Sequence, residues 1–238
     1  MENGISIIDS ITSGFALWKK YFVKIIIVGF IVYIPTQLCI ELATIKLDEV
    51  LSYSFDDIRL RNNIYELIRY LIGSVAFLGI INFIVKILDN EEEQTVSEIV
   101  LHGLKRWPKF IETGFFAGIK VLLYFLLLII PGIYKSVRFA FIDCVVSTNS
   151  GIFTDPCDKS EKLVENRWWR VFGFLLLIFI IGILFELIFL IPLFFYPEIF
   201  ESTVMAIALG VIIKVLETYF IVVKAVYYFN LKKQNAVV

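Results

Sequence analysis

A chain of 238 residues that is 59% hydrophobic and only 19% charged falls outside the composition of soluble domains, which are about 25% charged. Its 22 basic and 23 acidic residues nearly cancel, so no basic excess exists to condense on DNA or RNA, and nucleic acid is excluded as a partner. The composition reads as one all-α integral membrane domain over 1–238, a polytopic helical bundle.

Residues 5–20 carry Ile7, Ile8, Ile11, Phe15 and Trp18 at helical spacing and end on Lys19 and Lys20. Such a segment predicts an amphipathic helix lying in the membrane interface. The first span is expected over 21–43 with a kink at Pro35, and 44–63 forms a polar connection. The second span, 64–88, stops at the acidic run Asp89, Glu91, Glu92 and Glu93, which reads as a solvated helix stop.

Thr95-Val96-Ser97-Glu98 is a capping-box pattern and predicts a second interfacial helix ending at Trp107, where Pro108 interrupts it. The third span, 110–130, ends at the Pro131-Gly132 turn, and the fourth, 133–148, is short. Asp155-Pro156 opens a polar helix through Asn166. The fifth span, 168–191, is followed by an aromatic connection bracketed by Pro192 and Pro197. The sixth, 203–229, stops at Asn230-Leu231-Lys232-Lys233.

One unit recurs: an amphipathic helix, a Trp with basic neighbours, then two spans. Aligning Gly14 with Gly103 superposes Trp18 on Trp107 and Ser6-x-x-Asp9 on Thr95-x-x-Glu98, while a third copy aligns on Trp169 with Glu165 at the glycine position. Interfacial Trp is expected in any membrane helix, so the pattern fits a triplication or common anchoring.

Basic residues near the span ends set the orientation. Lys19, Lys20, Lys105, Arg106, Lys109, Lys159, Lys162, Arg167, Arg170, Lys232 and Lys233 fall on one side; Lys46, Arg59, Arg61 and Lys135 fall on the other. The richer side is cytoplasmic, which puts both termini and all three amphipathic helices at the cytoplasmic face of a cell inner membrane.

The run Ile130-Pro131-Gly132-Ile133-Tyr134, then Arg138, a polar loop, Ser160, Leu163 and Arg167-Trp168-Trp169-Arg170-Val171-Phe172-Gly173, resembles a six-span bacterial family related to the membrane domain of some glycerophosphodiester phosphodiesterases. The resemblance covers about half the chain. It implies a stand-alone helical membrane protein, because the phosphodiesterase chemistry of such proteins belongs to a separate soluble domain.

Ionisable groups within apolar segments are the strongest functional pointers in such a chain. Lys214 and Glu217 fall near the middle of the sixth span and Asp143 near the middle of the fourth, with Arg138 closer to the outer surface. These four form a candidate polar site, Asp143 opposite Lys214 and Arg138 near Glu217; the competing reading is charge pairs that fix helix register, or snorkelling side chains. Lys105, Arg106, Arg167 and Arg170 form a candidate rim for anionic lipid.

No catalytic set, cofactor motif or metal-ligand spacing is legible. His102 is the lone histidine and reads as an interfacial residue, Cys39, Cys144 and Cys157 suggest no disulfide framework, and no phosphate loop is present. The expected function is therefore a non-enzymatic membrane protein that engages lipid, in envelope maintenance or membrane protection, including immunity to a membrane-active toxin. A six-span permease subunit working with a separate ATPase is the alternative. Membrane lipid, that ATPase or further copies of the chain are the candidate partners.

Overall fold

The computed structural model describes residues 6–51, 58–148, 155–195 and 203–236. Every regular element among them is an α-helix: α1 (Ile7–Lys20), α2 (Phe22–Leu51), α3 (Ile58–Leu88), α4 (Val96–Leu127), α5 (Ile129–Arg138), α6 (Ile142–Thr148), α7 (Pro156–Val164), α8 (Trp168–Phe195) and α9 (Thr203–Ala236). Four of these are long and apolar enough to cross a membrane, within Phe22–Ile40, Asn63–Leu88, Val96–Leu127 and Trp168–Phe185. The chain is all-helical in its described residues and has the helices of a membrane protein by length and apolarity.

The local start signals act as the sequence implies. Ser6 accepts from the Asp9 amide at the head of α1. Thr95 and Glu98 form a reciprocal capping box, the Glu98 carboxylate accepting from the Thr95 amide at 2.7 Å. Asp155 accepts from the Cys157 amide, with Pro156 in the first turn of α7.

Helix boundaries differ where proline was expected to decide them. α4 runs unbroken through Pro108, so the predicted interfacial helix and third span are one 32-residue helix. At about 1.5 Å per residue it is about 48 Å long, well beyond a hydrocarbon core of about 30 Å. The Trp107 indole donates to the Leu71 carbonyl of α3 at 2.7 Å and pins the turn before the proline from outside. α8 likewise extends past Pro192 to Phe195, while Pro35 lies inside α2, as the continuous first span implies. Part of the expected connection 44–63 is helical: α2 reaches Leu51 and α3 begins at Ile58, while 52–57 lie outside the described residues, as does Pro197 in the expected aromatic connection.

The expected fourth span is not one helix. α4 ends at Leu127, the backbone of Leu128 that caps it is extended (φ −162°, ψ 152°), and Pro131-Gly132 fall inside the first turns of α5 rather than ending the preceding helix. α5 and α6 are separated by a turn at 139–141. Together they return beside α4: Lys135 lies over the Tyr124 ring, Phe139, Ile142 and Val146 pack with Ala117, Phe110 and Trp107, and the His102 ring meets the Ser147 carbonyl at 2.7 Å.

α3 is the centre of the bundle, packed by α2, α4, α6 and α9. α4 lies antiparallel on it, and α1 lies antiparallel on the C-terminal half of α9. Apolar side chains gain nothing by leaving lipid for one another, so close approach and interhelical hydrogen bonds decide how such helices associate. A Cβ on Gly14 would stand 2.7 Å from Val223 Cγ2, and one on Gly103 would collide with the Val75 carbonyl oxygen. Four residues after each glycine, an indole donates across the same interface: Trp18 to Thr218 Oγ1 at 3.0 Å and Trp107 to Leu71.

The core closes around Tyr227 of α9, fully buried and stacked 3.7 Å from the Phe174 ring of α8, with Phe141 on its flank. Aromatic stacks of this kind fix rotation about the helix axis more tightly than aliphatic contacts do.

Candidate functional site

The break between α5 and α6 leaves backbone groups without helical partners, and α7 supplies them. Ser160, fully buried, donates to the Arg138 carbonyl at 2.8 Å, and its oxygen accepts from the Phe141 amide at 3.2 Å. One hydroxyl thereby satisfies both sides of the break, as buried backbone groups require. The next residue, Glu161, pairs with both Lys135 and Arg138 of α5, the latter at 3.2 Å. The Trp168 indole, at the start of α8, donates to the Tyr134 carbonyl at 3.1 Å and stacks on the Tyr134 ring.

These contacts correct the orientation count. Lys135 was assigned to the face opposite α7, yet it is paired with Glu161 of α7, and side chains on opposite surfaces of a bilayer cannot meet. Lys135, Arg138 and Glu161 share one level of the bundle. The count failed there because it set α7 at the far end of 133–148, whereas α7 folds back onto α5.

On the other side of the break, Asp143 of α6 accepts from Lys224 of α9 at 2.6 Å, with 23% and 26% of the two side chains accessible. Thr148, at the end of α6, shares a hydrogen bond of 2.9 Å with Tyr228, one turn beyond Lys224. Asp143 is thus ion-paired with Lys224, and the side chain of Lys214, its expected partner, lies outside the described residues. Arg138 pairs with Glu161 rather than Glu217, and Glu217 lies within electrostatic reach of Tyr33. The structure therefore brings two of the four expected residues, Arg138 and Asp143, to the two halves of one broken segment, with Glu161 and Lys224 as partners. Glu161 and Lys224 are the site residues the expected set lacked; the place of Glu161 directly after a serine in a polar helix gave no hint that the helix folds onto α5.

The acidic run after α3 is also more than a solvated stop, because Glu91 pairs with Lys86 at 3.0 Å and Glu93 pairs with Lys24 of α2. In the third amphipathic segment the bonding indole is Trp168; Trp169, on which the repeat was aligned, is 78% exposed. Aligned on Trp168 instead, Val164 occupies the position of Gly14 and Gly103, and it too is fully buried.

The four rim residues sit on two elements. Lys105 and Arg106 precede Trp107 on α4, whereas Arg167 and Arg170 flank the start of α8; Lys105 and Arg170 are exposed, and Arg167 donates to Asn235 of α9. Cys157, buried at the start of α7, has its thiol pushed up to about 11 by burial and by the Asp155 carboxylate. Among the described residues, no three His, Cys, Asp or Glu side chains converge as a metal-ligand set.

No protein-family model matches this chain, and no curated protein or solved structure matches it either. The class defined by the fold is an all-helical membrane protein, and the site is a broken helix held by α7 on one side and α9 on the other.

Proposed function

We propose that this chain is a non-enzymatic, multi-pass protein of a bacterial inner membrane that engages lipid, in maintaining or protecting the envelope, immunity to a membrane-active toxin included. In this reading the fourth of six crossings is made by the broken pair α5–α6 rather than by one helix, both termini are cytoplasmic, the three amphipathic segments are copies of one unit, and the chain is kin to the six-span family related to the phosphodiesterase membrane domain.

One observation carries the lipid reading: apolar surface is left uncovered along α4 and α8, and exposed aromatic and basic residues stand at the head of α8. Phe115, Leu122 and Leu126 of α4 and Phe179, Leu184 and Ile188 of α8 are exposed, and the exposed Trp169 and Arg170 stand at the head of α8. An apolar face meeting aromatic and basic residues matches the zones of a bilayer leaflet rich in anionic lipid. The test is the lipid shell of the protein in mixed bilayers of phosphatidylglycerol and phosphatidylcholine. Neutralising Lys105, Arg106, Arg167 and Arg170 together is expected to reduce enrichment of the anionic lipid several-fold; unchanged enrichment would contradict the reading.

A permease subunit is the second reading, favoured by the Asp143–Lys224 pair on a broken helix, since discontinuous helices carry substrate and ion sites in transporters. A nucleotide-binding subunit that co-purifies in fixed stoichiometry, with transport lost in Lys224→Met at normal expression, would favour it over the first.

A further inference from the structure

Two cations of α5 share a single carboxylate. Lys135 and Arg138 both pair with Glu161, so this corner of the bundle keeps one net positive charge. Their other neighbours are aromatic faces: the Lys135 ammonium lies 4.9 Å from the Phe139 ring centre and 5.5 Å from that of Tyr124, and the Arg138 guanidinium lies 5.7 Å from that of Tyr134. Ring faces orient cations without neutralising them. Glu161 engages one nitrogen of Arg138, and the guanidinium has donors to spare for a second anion. The Lys135 and Arg138 side chains are part-exposed, so the corner is reachable from outside.

The surroundings restrict what that anion can be. From the same corner the chain runs back through Leu127 to Ile130, apolar and among its most exposed residues, Ile130 reaching 80%. On the other side, Trp168 stacks on Tyr134 and Phe172. An anion that also carries long apolar chains satisfies both halves of this surface. A bare phosphate satisfies only one.

We propose that the corner formed by Lys135 and Arg138 of α5 with Glu161 of α7 binds the phosphodiester headgroup of one anionic phospholipid, its acyl chains lying along the apolar strip 127–130. The proposal rests on the lipid-engaging reading above and narrows it to one site. Arg138 offers the planar fork that suits phosphate oxygens, and Lys135 adds a point charge beside it. Glu161 competes with the phosphodiester for the same donors, so it tunes occupancy rather than contributing to affinity.

That competition gives the test its sign. Native mass spectrometry of the detergent-solubilised full chain, titrated with phosphatidylglycerol, should show one lipid retained more tightly than the rest. Lys135→Gln with Arg138→Gln should weaken that binding by about tenfold or more, as expected for lost charge-assisted hydrogen bonds. Glu161→Gln should strengthen it several-fold. Phosphatidylcholine and soluble glycerol 3-phosphate should not occupy the site.

Unchanged retention in the Lys135/Arg138 double variant overturns the proposal, as does equal binding of glycerol 3-phosphate, which would make the site one for free phosphate esters. Weaker binding in a Glu161→Gln protein of unchanged melting temperature also overturns it. Should Glu161→Gln not fold, Lys135→Gln and Arg138→Gln taken singly decide, each expected to weaken retention. Anionic enrichment that vanishes with Lys105, Arg106, Arg167 and Arg170 but survives loss of Lys135 and Arg138 sinks this site and leaves the general reading standing. Loss of the single tight lipid in the Lys135/Arg138 variant, with bulk enrichment indifferent to the four rim residues, does the reverse.

Discussion

Lys224 of α9 donates to Asp143 of α6 across 2.6 Å, and the pair joins the last helix of the chain to the broken segment beside α4. Removing one partner strands the other in apolar surroundings, whereas removing both does not. Breaking a buried pair costs about 3–5 kcal/mol, and with roughly a quarter of each side chain accessible here a cost of about 1–3 kcal/mol is expected for Asp143→Asn or Lys224→Met alone. The double variant should be less destabilised than the sum of the two singles. Thermal unfolding of the four proteins in detergent closes the cycle; additive losses would show that the charges act independently.

Ser160 holds the break between α5 and α6 through two hydrogen bonds. Ser160→Ala leaves a buried amide and carbonyl without that partner, at a cost of about 1–3 kcal/mol. Hydrogen exchange should quicken locally at the amides of 139–142. Exchange that stays slow there would mean the break is held by other contacts.

The two glycine contacts predict a ranking. At Gly103 a Cβ meets the Val75 backbone, which cannot turn aside, while at Gly14 the nearest atom belongs to the Val223 side chain. Overpacking of this kind costs about 1–3 kcal/mol, and Gly103→Ala should sit at the upper end, above Gly14→Ala. Melting temperatures in the reverse order would contradict the packing described.

Cys157 should be a slow thiol. Burial and Asp155 push it from 9.0 up to about 11, so at pH 8 the thiolate fraction falls by about a hundredfold, and access is limited as well. Because Cys39 is exposed, the test uses a Cys39→Ser protein and reads Cys157 by peptide mapping: its maleimide labelling in the folded state should stay slow at pH 8 and keep rising with pH beyond 9, with fast reaction only after denaturation. Rapid labelling of Cys157 at neutral pH in the folded state would place α7 away from α5 and α6.

What was legible in the sequence was local. The caps at Ser6, Thr95 and Asp155 involve groups two or three residues apart, and nothing distant competes with them. Apolar run length located, for the same reason, the four helices that are long enough and apolar enough to cross a membrane, whereas the expected span 133–148 is broken into two short helices. Pro108 misled because the rule that proline interrupts a helix assumes an isolated one, and α3 steadies the turn before it through the Trp107–Leu71 bond. The partners of Asp143 and Arg138 were not legible because they depend on how α6, α7 and α9 are rotated, which distant packing such as Phe174 on Tyr227 decides. Even so, the segments that carry charge within apolar surroundings were found; what was missed was that α7 closes over them.

Native mass spectrometry of the protein taken from its own membranes with lipid retained is the most direct test of a lipid-engaging role. Anionic phospholipid held through detergent exchange, on a monomer or on a homo-oligomer, is the expected result. A stoichiometric nucleotide-binding subunit with no retained lipid would contradict it and make Asp143 and Lys224 the centre of a transport site.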